Sequence, residues 1–214
     1  MTINEFNLWF DPIFDQVRDT NLKWVQLDDG FCGNTNDTNF PSQYVQNQIS
    51  DKTISNFYSF VSEWRRKWST KKDFENTAQG TFNILPLDKV MQDSWDETLG
   101  GNDWAPDMKG FRPLDMFYDM DGFVGFYVNR PDKNGLYLQH SDSLISPLHV
   151  NLDGYLQLLG MSKGFGWWQN ALVQIHSGKE MPNVADFKEK MPKIFPDFSW
   201  EEFVVLYEKV RIDK

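Results

Sequence analysis

The chain has 214 residues, among them 18 Phe, 9 Trp and 7 Tyr. An aromatic content this high predicts a packed core and excludes a disordered chain. Its 31 acidic residues outnumber its 21 basic residues and give a formal net charge of −10, which argues against nucleic acid as a partner and favours a cationic protein.

The N-terminal part of the chain is predicted to form a helix followed by a long loop. Apolar residues from Phe6 to Val17 recur near helical spacing, and Pro12 either starts or kinks this helix. The segment has no basic leader, and no apolar run in the chain reaches ~18 residues, so we expect a cytoplasmic protein that binds no membrane. Residues 27–43 are polar and rich in Gly, Asn and Asp, which predicts a loop around the single cysteine, Cys32. One cysteine excludes an internal disulfide.

The clearest helical pattern covers residues 50–68, "SDKTISNFYSFVSEWRRKW". Its apolar residues recur at steps of three and four and would share one face of a helix. They are Ile54, Phe57, Tyr58, Val61, Trp64 and Trp68. The basic run Arg65–Lys67 would then lie in the last turn, where cations interact favourably with the helix dipole. We prefer this interpretation to a contact with nucleic acid, because the chain as a whole is acidic.

The middle of the chain is predicted to form strands. Residues 82–85 form a short strand, a helix opens at Pro86, and the acidic segment 96–110 is a loop. From 111 to 149 the apolar period changes to two. Residues 123–128 and 136–139 then predict an antiparallel hairpin across "RPDKNG", and residues 145–150 predict a further short strand.

Three helices are predicted at the C-terminal side. The first covers residues 151–161, the second covers 167–178 and ends at Gly178, and the last begins at Ser199. Ser199 and Glu202 have the spacing of a capping box, and Phe198 and Phe203 have the spacing of a hydrophobic staple.

Two adjacent tryptophans, Trp167 and Trp168, stand at the start of the second of these helices. In a helix their side chains would point ~100° apart. We expect at least one indole to lie in the core against Tyr155 or Leu159, because aromatic residues at helical spacing pack inside far more often than they form a ligand platform.

No motif in the chain predicts catalysis. The sequence lacks the H-E-x-x-H zinc motif, the G-x-S-x-G nucleophile elbow and the glycine-rich phosphate loops. Asp119 and Asp121 precede Gly122 with the spacing of a calcium loop, but the other ligands are missing and a turn is the preferred interpretation. The three histidines form no local metal-binding pair. We therefore predict no catalytic residue, no metal ligand and no cofactor.

Four segments resemble the SUKH superfamily, the Smi/Knr-like proteins named after a yeast regulator of cell-wall glucan synthesis. They are "FNILPLDKVMQDSW" (82–95), "FRPLDMFYDMDGFVGFYV" (111–128), "GLYLQHSD" (135–142) and "NLDGYLQLLGMSKGFGWWQNAL" (151–172). The resemblance implies one domain over residues 1–214, with a core at about 50–176 and a helical extension at 177–214. It implies an α+β fold, in which an antiparallel meander is flanked by helices and extra helices follow at the C-terminus. It also implies a non-catalytic role, since many bacterial members look like immunity proteins that neutralise a cognate toxin, often a nuclease.

The preferred hypothesis is therefore a bacterial immunity protein that binds a cationic toxin domain through an acidic surface. The residues expected to form this surface are Asp93, Asp96, Glu97, Asp103, Trp104 and Asp107. Acids speed the encounter with a cationic partner, and a tryptophan such as Trp104 is the residue type that binding hot spots favour. An equally open alternative is a solvated loop with Trp104 packed inward.

Two other functions remain open. One is a hydrolase with a dispersed site, in which Asp119 or Asp121 acts with His140 or His149. The other is a regulatory scaffold like the yeast proteins, although those are much longer and carry disordered arms.

Overall fold

The computed structural model describes residues 25–34, 49, 51–59, 61–71, 77–100, 108–117, 122–130, 132–140 and 144–214. In this part of the chain the strands are β1 (Val25–Asn34), β2 (Val61–Thr70), β3 (Gln79–Ile84), β4 (Phe111–Met116), β5 (Phe123–Tyr127), β6 (Tyr137–Gln139) and β7 (Ile145–Pro147). The helices are α1 (Lys52–Tyr58), α2 (Leu87–Val90), α3 (Ser94–Gly100), α4 (Leu152–Ser162), α5 (Gln169–Ser177), α6 (Val184–Ile194) and α7 (Trp200–Val210).

The strands form one antiparallel sheet whose order follows the chain from β1 to β7. Each strand pairs with the next, and the β3–β4 contact is the shortest, with the single register pair Ile84↔Asp115 and a bond from Leu85 N to Leu114 O of 2.9 Å. Four helices follow the last strand. The predicted α+β class, with a meander, flanking helices and extra C-terminal helices, is confirmed. No described helix has the length and apolar character needed to cross a membrane.

The helix predicted over residues 50–68 is wrong beyond Tyr58. Helix α1 is short, with the Asp51 carboxylate accepting a bond from Thr53 N, and β2 begins at Val61. The β1 register moves from Glu63 to Val61 between adjacent residues, so Ser62 is accommodated as a bulge. Val61 and Trp64, three residues apart, are consequently both buried, and this spacing imitates a helical face.

The basic run Arg65–Lys67 therefore lies in the middle of β2 and not in the last turn of a helix. The interpretation based on the helix dipole is wrong. Strand β2 is paired on both sides, with β1 and β3, and backbone pairing with neighbours distant in sequence overrides the local helical pattern.

Two predicted loops are also partly replaced by regular structure. Residues 27–34, including Cys32, belong to β1, an edge strand whose backbone pairs with β2; edge strands tolerate polar composition. Residues 96–100 belong to α3, whose first turn contains Asp96 and Glu97, where carboxylates favour the positive end of the helix. The predicted N-terminal helix and residues 35–43 lie outside the described residues.

Most predictions for the second half of the chain are confirmed, but four helices follow the sheet instead of the three expected, because α6 was not among them. The β5–β6 hairpin and the strand β7 are antiparallel neighbours. Gly178 ends α5 in the left-handed conformation, with φ 69°. Ser199 caps α7, its Oγ accepting a bond from Glu202 N at 3.2 Å, and the rings of Phe198 and Phe203 lie 6.2 Å apart as the staple requires.

The tryptophan pair divides between the core and its edge. Trp168 is 1% exposed and its ring lies 5.1 Å from that of Tyr155, which confirms the predicted core contact. Both indoles precede α5, so the helical angle expected between them is wrong. Trp167 has φ 61°, an uncommon conformation for a bulky residue. Its ring packs edge-on against Phe117 and stacks on His140.

Candidate protein-binding surface

Helix α3 contacts two separate buried clusters. Successive residues of a strand point to opposite faces. In β4–β6 one set of side chains joins the main core. Phe111, Tyr127 and Tyr137 of the other set form a second buried cluster with Met108, which precedes β4. Leu99 of α3 packs on this second cluster, while Trp95 packs on the main core. The helix is therefore held at both of its ends.

The ion pair between Asp96 and Arg112 fastens α3 to β4. The Asp96 carboxylate accepts bonds from both terminal nitrogens of Arg112, each at 3.0 Å, and from Gly110 N at 2.7 Å. The Arg112 side chain is 4% exposed. The bond from the guanidinium lowers the pKa of Asp96, with a further contribution from Gly110 N–H. A bidentate pair of this kind fixes the orientation of the helix as well as its position.

Two further carboxylates of this region face solvent. Asp93 immediately precedes α3; its side chain is fully exposed and lies 3.9 Å from Arg112 NH2. Glu97, in the first turn, is also exposed. Trp95, between them, turns inward and donates its Nε1–H to Lys89 O at 2.7 Å. The surface of α3 thus presents carboxylates on a helix that is anchored by its neighbours.

This region carries a substantial part of the negative charge of the chain. Residues 86–110 contain six acidic and two basic residues, so this segment contributes −4 of the net charge of −10. Of the six residues expected to bind a partner, the structure brings Asp93, Asp96 and Glu97 together at α3. Asp96 is already engaged by Arg112. Asp103, Trp104 and Asp107 lie outside the described residues.

Replacing Asp96 by Ala should lower the free energy of unfolding by ~1–3 kcal/mol, because the buried guanidinium of Arg112 would lose its carboxylate. Glu97→Ala removes the same charge from the same turn, but its exposed side chain should contribute less than ~0.5 kcal/mol. Urea unfolding followed by circular dichroism measures both. Equal midpoints for the two variants would show that Asp96 does not anchor the helix.

The alternative enzymatic hypothesis pairs Asp119 or Asp121 with His140 or His149, and the structure describes only the two histidines. His140 stacks on Trp167, whereas His149 stacks on His176; Asp119 and Asp121 lie outside the described residues. Sequence reasoning missed two charged residues, Arg112 and Asp115. Both residues lie in the short, otherwise apolar strand "FRPLDM". A charged side chain that is buried in such a strand requires a hydrogen-bonded partner, so their presence could have indicated an internal ion pair or hydrogen bond.

Comparison with models of protein families, with curated proteins and with solved structures finds no match. The resemblance to the SUKH superfamily therefore stays a prediction that rests on the four segments quoted above. The chemistry and placement of this chain's own residues carry the functional proposal.

Proposed function

We propose that this protein is a cytoplasmic, non-catalytic immunity protein that binds and neutralises a cationic toxin domain through the acidic surface of α3 and its flanking residues. The observation that carries the proposal is the net charge of −4 in residues 86–110, a segment whose helix α3 is fastened to the sheet by Asp96 and Arg112. A nuclease domain is a suitable target, because it must itself be positively charged to hold its nucleic acid.

Exposed carboxylates at this surface have a specific physical role. Asp93 and Glu97 are solvated, so they gain little from a single ion pair in water. They instead attract an oppositely charged partner over about a Debye length and so accelerate the encounter. Because α3 is anchored, the carboxylates need not lose much conformational freedom when the partner docks.

Charge alone does not give a long-lived complex, so the surface also needs a buried anchor. Trp95 is committed to Lys89 and the core. Trp104 is the remaining tryptophan of the acidic segment, and we assign it the role of the anchor on the basis of its residue type and position in the sequence. Loss of the anchor should act mainly on the dissociation rate, whereas loss of carboxylates should act mainly on the association rate.

The proposal expects a toxic domain to be encoded beside the gene of this protein, and the test is to co-express that neighbouring product with the protein and measure growth. The wild type should restore growth. Trp104→Ala and the double variant Asp93→Asn with Glu97→Gln should protect less. The matched control is Glu180→Gln with Glu189→Gln, which removes the same two charges from exposed positions on the C-terminal side and should protect fully.

Asp96 is left unchanged in these variants, so that a loss of protection does not arise from detachment of α3. Full protection by both surface variants, at wild-type protein levels, would exclude this surface. Failure of the wild type to protect would contradict the immunity function.

A further inference from the structure

Three side chains that are distant in the sequence meet at the C-terminal end of the fold. His149 follows β7, His176 lies in the last turn of α5, and Asp213 belongs to the segment after α7. One ligand atom from each of the three lies within 4.8 Å of the other two. The imidazole rings are stacked with centroids 3.7 Å apart and planes inclined by 25°. This is the cluster that we call the His–His–Asp cluster.

The spacing of the cluster fits a shared metal ion. The Oδ2 atom of Asp213 lies 3.3 Å from His149 Nδ1 and 3.7 Å from His176 Nδ1. Metal–ligand bonds of 2.0–2.2 Å at tetrahedral angles place two ligand atoms about 3.3–3.5 Å apart. The observed distances bracket this value. At 3.7 Å, His176 Nδ1 makes no hydrogen bond to Asp213, and its ring is held by stacking on His149. Because the two ring planes are inclined by only 25°, one imidazole has to change rotamer before both nitrogens direct their lone pairs at one ion.

The carboxylate of Asp213 is oriented by hydrogen bonds from Arg211. Arg211 donates to both oxygens of Asp213 at 2.9 Å and to both oxygens of Glu208 at 3.0 and 3.1 Å. Carboxylates that bind metals are commonly oriented by such outer hydrogen bonds. The positive charge of Arg211 opposes a cation at the site and lowers the expected affinity. Its NH2 group donates to the Oδ2 atom of Asp213, which leaves the second lone pair of that oxygen for the ion.

The backbone also fixes the positions of the two histidines. His149 has φ 54°, in the left-handed region, where a residue other than glycine costs free energy and often marks a functional site. Its carbonyl accepts a bond from Ile212 N at 2.9 Å, which holds Asp213 beside it. His176 lies at the C-terminal end of α5, where the helix dipole favours a positive charge.

We propose that the His–His–Asp cluster binds a divalent transition metal ion of the zinc type. Imidazole nitrogen suits Zn²⁺, Ni²⁺ and Cu²⁺, whereas Mg²⁺ and Ca²⁺ require sites rich in oxygen. Three protein ligands leave a fourth position for water or for a ligand from a partner. Binding would tie the C-terminal segment to α5 and to the residue after β7. The proposal is independent of the immunity function.

The test uses chelator-treated full-length protein titrated with Zn²⁺ by calorimetry, and with Co²⁺ by visible absorption, which reports imidazole coordination. The wild type should bind one Zn²⁺ per chain. His176→Ala and Asp213→Asn should each weaken binding by at least ~10–100-fold, the range that loss of outer-shell partners already produces.

His140 provides the matched control, since it is the third histidine of the chain and stacks on Trp167 instead. His140→Gln should bind as tightly as the wild type, with folding of each variant checked by circular dichroism. A wild-type Kd weaker than ~1 mM, which corresponds to only marginal binding, would overturn the proposal. So would equal binding by His176→Ala, Asp213→Asn and the wild type.

Discussion

Trp168→Ala should lower the free energy of unfolding by ~3–5 kcal/mol, the usual cost of truncating a large aromatic side chain in a core. Trp168 is 1% exposed, and its ring contacts those of Tyr155 in α4 at 5.1 Å and Phe203 in α7 at 6.3 Å. The indole therefore joins two helices, and Ala would leave a cavity between them. Trp167→Ala should cost only ~1 kcal/mol, the centre of the range for ordinary substitutions, because that indole is half-buried.

A conservative variant separates packing from hydrogen bonding at this position. The Nε1–H of Trp168 is buried and finds no hydrogen-bond partner among the described residues, and such a donor costs ~1–3 kcal/mol. Trp168→Phe removes this donor together with part of the ring, so it should destabilise the protein much less than Ala does. Urea unfolding gives all three values. Equal losses for Trp167→Ala and Trp168→Ala would contradict the assignment of Trp168 to the core.

Asp115→Asn should become more stable relative to the wild type by about 3 kcal/mol as the pH rises from below 4 to above 6. Asp115 is fully buried; its carboxylate accepts bonds from Tyr155 OH at 2.6 Å and Asn83 N at 2.7 Å. Burial raises its pKa from the ordinary value of 3.8 to about 6, against the opposing effect of these two hydrogen bonds. The magnitude follows because one pKa unit corresponds to ~1.4 kcal/mol.

The sign follows from proton linkage. Below pH 3.8 the carboxyl is protonated in both states, and its contribution to stability is fully present. As the pH rises, the unfolded chain releases the proton first, so stability is lost until the folded-state pKa is passed. Asp96 and Asp213 act with the opposite sign in a lower window: Arg112 and Arg211 lower their pKa values, so their contribution to stability is lost as the pH falls below about 4. The informative quantity is therefore the difference between variant and wild type.

Urea unfolding of both proteins between pH 3.5 and 7.5 gives this difference. A second variant, Tyr155→Phe, removes a bond that favours the ionised carboxylate, so its stability should fall more steeply with pH than that of the wild type. A difference between Asp115→Asn and the wild type that stays constant with pH would contradict the raised pKa.

Elements that carry their signal in adjacent residues were predictable from the sequence. The cap at Ser199, the staple of Phe198 and Phe203, and the β5–β6 hairpin depend on residues within a few positions of one another. Elements that depend on pairing with residues distant in the sequence were not predictable in this way. The apolar spacing of β2 predicts a helix because the bulge at Ser62 puts Val61 and Trp64 on one face. Strand β1 depends on its pairing with β2.

For the candidate surface at α3, the sequence predicts the excess of negative charge but not the contacts that hold the helix in place. The excess of acids in residues 86–110 is visible in the sequence, whereas the partner of Asp96 is Arg112, on another element. The His–His–Asp cluster could not be found by any local motif, because His149, His176 and Asp213 belong to three separate segments that only the packing of α5 and α7 brings together.

The proposed function is tested most directly by association of the purified protein with the product of the gene beside its own, which the proposal takes to be a cationic toxin. Stopped-flow fluorescence at about 50 and 500 mM NaCl, which changes the Debye length severalfold, should give a 1:1 complex whose association rate falls steeply with salt. The variant Asp93→Asn with Glu97→Gln should associate more slowly at low salt, and Glu180→Gln with Glu189→Gln should match the wild type. Absence of a complex at ~10 µM, a concentration at which even a micromolar Kd gives substantial binding, would contradict the account, as would association rates equal for all three proteins.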